Sequence, residues 1–176
     1  MNDLGDRIKS GFEDIVLRPE AAADEIFLFE VYAGTRQEEL DLTDWDAPTR
    51  AAFLDMQFKA MRQGYRTMFP TADFSIILRG PERIGRMIIL RLDREIRVVD
   101  LALRPGFRNQ KIGTFLMQRV CAEAARAGKT VTLSVLKNTR PVGWYRRLGF
   151  ATAGEAGFYE EMEWRPTGFT PAGSGG

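Results

Sequence analysis

The sequence contains no histidine and a single cysteine, Cys121. The first absence removes a His general base, Ser–His and Cys–His nucleophile pairs, and most catalytic zinc sites. No metal site is expected. The second absence removes any internal disulfide. Cys121 falls on the apolar side of an expected helix, so its plainest role is packing, and a lone buried thiol suits a reducing compartment. No apolar run approaches the ~18 residues of a membrane span, and the opening M-N-D-L-G-D-R-I-K-S lacks the apolar core of a signal. The expected location is therefore cytoplasmic. Net charge is also scarce, because 25 Lys and Arg stand against 24 Asp and Glu. No global field draws the chain to nucleic acid or a membrane surface, so any anion must be held by local charge.

What is present suits one domain with a real core: 176 residues, 44% hydrophobic and 28% charged. Asp14 to Arg18 reads as a first strand stopped by Pro19. Ala21 to about Ala33 favours helix, with Ala22, Ile26, Phe29 and Ala33 at helical spacing and Phe27 and Val31 beside them. Thr35 to Trp45 is polar and acidic and reads as a loop. Asp46 is placed to cap a second helix with Pro48 in its first turn, and Leu54, Phe58, Met61, Tyr65 and Met68 share one face. The period then changes. Phe74 to Leu78, Ile84 to Leu92 and Ile96 to Leu103 read as an antiparallel meander. Ile112 to Ala127 reads as a helix on the spacing of Ile112, Phe115, Leu116, Val120, Ala124 and Ala127, ended by Gly128. A strand carrying Val131, Leu133 and Val135 follows, then a short helix over Arg140 to Leu148. A strand opening at Gly149-Phe150 and a last one over Phe158 to Trp164 complete the order. The class is α/β, with a mixed, mostly antiparallel sheet flanked by helices. One domain over 1–166 is expected, followed by a tail, 167–176, with no pattern that could pack and therefore disordered.

Two segments carry chemistry. Leu101 to Gly113, L-A-L-R-P-G-F-R-N-Q-K-I-G, reads as a strand stopped by Pro105, a basic turn and a helix start. Such a junction aims main-chain N–H groups and the positive end of a helix dipole at one spot, where a phosphate can sit. Arg108, Asn109, Gln110, Lys111, Ile112, Gly113 and Thr114 would wrap a diphosphate there, mainly through amides. Arg108 and Lys111 would add charge, and Thr114 a hydroxyl. The plainer alternative is a solvated helix start. The second segment holds Asn138 and then Tyr145, Leu148, Gly149 and Phe150. Either segment alone is a weak signal; their order relative to strands and helices makes them informative.

With these residues in place the chain resembles the GNAT superfamily of N-acetyltransferases. The family's acetyl-CoA signature, Q/R-x-x-G-x-G/A, is met by Arg108 at its first position and Gly113 at its last. Lys111 stands where the middle glycine is usual, and a lysine in a helical conformation would still offer its N–H. The family's second signature is met by Asn138 and by Tyr145-Arg146-Arg147-Leu148-Gly149-Phe150. The resemblance implies a GNAT fold splayed between strands 4 and 5, acetyl-CoA as cosubstrate, and main-chain bonds from Leu101 and Leu103 to the pantetheine arm. It implies that Asn138 bonds that arm and that Tyr145 protonates the departing CoA thiolate, a transfer compatible with reference values of ~10 for the phenol and ~8.5 for a thiol. It also points to Asp100 as an acidic residue near the acceptor; a strand carboxylate paired with Arg86 or Arg91 is the alternative.

The implied reaction is direct acetyl transfer to an amine in a ternary complex, without an acyl-enzyme. The acceptor would be a small molecule or a protein amine, bound in part by the region of Thr35, Arg36, Glu39 and Tyr65. The acidic residues Glu38, Glu39, Asp41, Asp44 and Asp46 lean toward a cationic acceptor. Dimers are common in the family. Two other readings stay open: a non-catalytic CoA-binding or protein-interaction module of the same fold, kept alive by Lys111, and a transferase for a longer acyl chain.

Overall fold

The computed structural model describes residues 11–169. The expected tail falls outside the described residues from 170 onward. Among the described residues the chain divides into two compact units, 11–90 with 100–113 and 91–99 with 114–169.

The first unit opens with strand β1, Ile15–Pro19, and a 3-10 turn, Ala22–Asp24. Two helices follow, α1, Glu25–Leu40, and α2, Ala47–Met68, then strands β2, Asp73–Arg79, and β3, Glu82–Arg91. Strand β1 runs antiparallel to β2 from Ile15↔Arg79 to Pro19↔Ser75, and β2 runs antiparallel to β3 with a register shift at Ile77/Leu78. Asp46 caps α2 as expected, accepting from the Thr49 amide at 2.9 Å. Its core joins Phe27, Leu28, Val31 and Tyr32 of α1 to Phe58, Ile76 and Ala102. Phe58 meets Phe29 edge-on at 5.4 Å and Tyr32 at 5.8 Å.

Three expectations change here. Helix α1 runs on to Leu40 through the stretch read as loop. The i,i+3 pair Arg36–Glu39 and the Gln37 amide donating to Asp41 at 2.7 Å support that extra length, and Leu40 is buried. The buried face of α1 is 27/28/31/32, and Ile26 is 77% exposed. On α2, Met68 is also exposed, since the last turn overruns the core.

Strand β4, Glu95–Leu103, belongs to both units, with its first five residues in the second. There it pairs in parallel with β5, Thr130–Leu136, which follows helix α3, Ile112–Ala127. Next come α4, Arg140–Arg147, β6, Ala151–Ala156, and β7, Tyr159–Trp164. Strand β7 is antiparallel to both β5 and β6. Gly128, at φ +65°, ends α3 as expected, and the Lys129 amide reaches back to the Ala124 carbonyl at 2.8 Å. Leu116, Met117, Val120, Ala124, Val131 and Leu133 are buried, whereas Ala127 is exposed.

The strand order is β1-β2-β3-β4-β5-β7-β6, a mixed sheet whose parallel step is β4–β5. That ladder covers only Glu95↔Thr130 to Val98↔Leu133, although β4 runs on to Leu103 and β5 to Leu136, which is the splay expected at strands 4 and 5. Among the described residues no helix is long and apolar enough to cross a membrane.

Candidate active site

In the first unit the chain leaves β4 at Leu103 and turns at once. Pro105 opens a 3-10 turn, Pro105–Phe107, closed by the Phe107 amide on the Arg104 carbonyl at 2.9 Å. Asn109 and Lys111 then adopt φ of +61° and +63°, and α3 begins at Ile112, which is buried and anchors the helix start. Lys111 is therefore left-handed and lies one residue before the helix, not in a helical conformation. This supplies a physical reason for a glycine at that signature position, since a non-glycine residue there costs about 1–2 kcal/mol. Alternating backbone hands ahead of a helix turn successive amides toward one side, the geometry that grips an anion.

The Arg108 guanidinium is committed to the main chain. Its Nε donates to the Leu103 carbonyl at 3.0 Å and its Nη2 to the Gly34 carbonyl at 2.9 Å. Gly34 lets α1 come this near, because a Cβ there would lie 3.3 Å from Cδ of Pro105. Gln110 braces the turn, donating to the Gly106 carbonyl at 2.6 Å and accepting from Arg79. The Arg108 amide is engaged too, donating to the Pro105 carbonyl at 3.2 Å, whereas the side chain of Lys111 is exposed.

Leu101 and Leu103 are half-buried on β4, flanking buried Ala102. Strand β3 presses closely here: a Cβ on Gly85 would fall 2.3 Å from the Ala102 carbonyl oxygen. Asp100, just ahead of them, accepts a short hydrogen bond from Nε of Arg86. The pairing with Arg86 is thus realised. Of the other acceptor-region residues, Thr35 donates to the Tyr32 carbonyl, Arg36 pairs with Glu39, and Tyr65 lines a cleft with Glu20, Arg62, Arg66 and Arg86. Sequence reasoning missed that cleft; its one linear signal is the i,i+4 spacing of Arg62 and Arg66 on α2.

The remaining site residues belong to the second unit. Thr114, on α3, accepts from the Trp144 indole N–H at 3.2 Å. Tyr145 is half-buried on α4, its ring 4.6 Å from Trp144 and 5.6 Å from Phe150. The Y-x-x-L-G-F segment is a helix stop in physical terms. The Tyr145 carbonyl accepts from the amides of Leu148 and Phe150, Gly149 takes φ +91°, and a Cβ on it would lie 3.3 Å from Trp164. Asn138 sits exposed at φ +58° in the turn after β5. Cys121 is buried, and burial pushes its thiol up to about 12, far from a nucleophilic state at neutral pH. Among the described residues no group of His, Cys, Asp and Glu is placed to hold a metal ion.

A family model described as an acetyltransferase (GNAT) domain matches residues 70–152. No curated protein matches the sequence. Among solved structures, the chain is similar to a PaiA N-acetyltransferase from Thermoplasma acidophilum in complex with coenzyme A, at 17% identity and TM-score 0.63, covering 86% of this chain and 99% of that one. It is also similar to a GNAT family acetyltransferase from Elizabethkingia anophelis with acetyl-CoA bound, at 15% identity and TM-score 0.58 over 88% and 99% of the two chains. An acetyltransferase from Thermus thermophilus gives 13% identity and TM-score 0.64 over 86% and 97%. At such identities these likenesses speak for the fold.

Proposed function

We propose that this chain, matched over residues 70–152 by the GNAT acetyltransferase domain model, transfers an acetyl group from acetyl-CoA directly to an amine. The observation that carries this reading is the corner at 108–113, where two left-handed residues precede a helix start at the end of a strand that has left its parallel neighbour. Amides of that corner fit a diphosphate. The main chain of Leu101 and Leu103 would then take the pantetheine arm, with Asn138 as a further contact. Relatives solved with coenzyme A or acetyl-CoA support the choice of cosubstrate.

The chemistry asks little of the protein beyond orientation and charge. The acceptor's ammonium gives its proton to water near Asp100, the free amine attacks the thioester carbonyl, and the tetrahedral oxyanion, stabilised by main-chain N–H groups, collapses with cleavage of the C–S bond. The departing thiolate takes a proton from Tyr145. Asp100, its rotamer fixed by Arg86, supplies negative charge for the acceptor's ammonium. The buried Cys121 and the absence of histidine argue for direct transfer without an acyl-enzyme.

The rival reading, a non-catalytic module of the same fold, rested on Lys111. The left-handed backbone at Lys111 weakens it, because the lysine takes the conformation that the usual glycine would take. Thiol release by the unaltered protein from acetyl-CoA with an amine acceptor decides between the two, and Tyr145→Phe tests the mechanism. Turnover measured by thiol release should fall by about one to three powers of ten, while acetyl-CoA affinity by calorimetry stays within about twofold. Unchanged turnover would remove Tyr145 from the mechanism.

A further inference from the structure

The first unit holds an open cleft that the acetyl-CoA reading does not use, lined by Glu20, Arg62, Tyr65, Arg66, Ser75 and Arg86 among others. Arg62 and Arg66 stand one helical turn apart on α2 and converge. Each places Nη2 2.7 Å from the same oxygen, Oε1 of Glu20, whose side chain is only 10% exposed. The rings of Phe58 and Phe74 brace the two guanidiniums at 5.5 and 4.6 Å. Two guanidiniums on one carboxylate oxygen form a ready-made carboxylate receptor.

Glu20 is a substitute anion in that receptor. It lies in the short link between β1 and the 3-10 turn, and its amide is fastened to the Phe74 carbonyl at 2.9 Å. Its side chain can turn out without unwinding a helix or strand. Deeper in, the Arg86 side chain is 7% exposed. One of its amino groups faces Sδ of Met61 at 3.3 Å. A thioether is a weak acceptor, so a charged donor in a nearly dry place is poorly matched. Three guanidiniums against the carboxylates of Glu20 and Asp100 leave one positive charge uncancelled.

We infer that this cleft seats a carboxylate carried by the acyl acceptor, so that the acceptor is an amino acid or a related amino carboxylate. The incoming carboxylate exchanges with Glu20 at the arginine pair, and Arg86 adds a donor from below. The inference rests on the acetyl-transfer reading, because the Arg86–Asp100 pair ties the cleft to β4 just ahead of Leu101, where that reading lays the pantetheine arm. The acidic residues that leaned toward a cationic acceptor, Glu38, Glu39, Asp41, Asp44 and Asp46, are exposed and do not line the cleft.

The test uses matched pairs, each amino acid beside the amine left by its decarboxylation, with saturating acetyl-CoA and thiol release as readout. The best amino acid should exceed its amine by about tenfold or more in kcat/KM. Arg62→Gln with Arg66→Gln should raise the acceptor KM by about tenfold, while Glu20→Gln should lower it several-fold by vacating the receptor. A mere loss of structure would move both variants the same way. Equal turnover of amine and amino acid in every pair, or same-direction shifts in the variants, overturns the inference. If nothing in the panel is acetylated, the acetyl-transfer reading fails separately, and calorimetry with the same amino acids judges the cleft. Saturable binding tightened by Glu20→Gln and lost with both arginines keeps the carboxylate seat; no binding overturns it.

Discussion

In the first unit, three carboxylates are drawn away from solvent onto arginines; in the second, ion pairs lie mostly in water. Asp24, 2% exposed at its side chain, is held by Arg18 and Arg83, Glu20 by Arg62 and Arg66, and Asp100 by Arg86. Against these stand Arg91–Glu123 at 40% and 37% exposure and Lys137–Glu155 at 28% and 66%. Glu163, 19% exposed beside Arg165, is one exception in the second unit, and Glu160 is another. Glu160 is buried, yet its arginine partner Arg146 is 59% exposed and a Thr152 hydroxyl does much of the satisfying. Pairs of the first kind contribute little net stability when intact but are costly to break, because the survivor is left poorly solvated. Pairs of the second kind are worth little either way. The arginines around Asp24, Glu20 and Asp100 in the first unit are thus preorganised for anions, whereas Arg91–Glu123 and Lys137–Glu155 in the second are surface charge.

The largest stability effect that would sharpen this contrast is at Asp24. Asp24→Asn should cost about 2–3 kcal/mol in urea unfolding, below the usual loss for a buried pair because Arg18 and Arg83 still reach water. The Arg18 guanidinium, with help from the Ala21 amide and Arg83, holds the Asp24 carboxyl well below its ordinary value of 3.8. The folded value is lowered, so this stability is complete above the ordinary carboxylate value and drains below it, as pH falls from there through the lowered folded value. The substitution should therefore flatten the acid limb of the stability curve. An unchanged limb would mean that Asp24 is no different from a surface carboxylate. The counterpart in the second unit is Glu123→Gln. Arg91 lowers Glu123 in the same direction, but the pair is exposed, and the loss should stay below about 1 kcal/mol and vanish in high salt. A loss equal to that of Asp24→Asn would break the contrast.

Much of this was legible in the chain because the signals are local. The Asp46 cap, the Gly128 stop, the meander and the 101–113 corner each need only neighbouring residues. The extension of α1 over 35–40 was not, since its polar composition looks like loop until the Arg36–Glu39 and Gln37–Asp41 contacts are seen on a helix surface. The exposure of Ile26 and Met68 depends on where the sheet lies, which periodicity does not say. The arginine cleft was the least legible, because Glu20 is separated from Arg62 and Arg66 by 42 and 46 residues. The left-handed state of Lys111 had one clue, the glycine usual at that place, and the clue pointed to backbone conformation as much as to close approach.

The smallest effects compare the two left-handed site residues, Lys111 in the first unit and Asn138 in the second. Both stand in turns that lead into a helix, so the same substitution tests each. Glycine at Lys111 relieves about 1–2 kcal/mol of backbone strain and returns about 0.4–1 kcal/mol to the unfolded chain's entropy, a net gain of up to about 1.6 kcal/mol. Asparagine already tolerates this conformation, so Asn138→Gly mainly frees the unfolded chain and should cost a few tenths of a kcal/mol. Urea midpoints at constant slope should therefore move in opposite directions. Acetyl-CoA titrations of the same two proteins divide side chain from backbone. Lys111→Gly should bind more weakly at low salt and equally at high salt, because only a charge is gone. Asn138→Gly should bind more weakly at both if Asn138 bonds the pantetheine arm as proposed. Equal midpoints and equal affinities in the two variants would show that neither residue was chosen for its side chain.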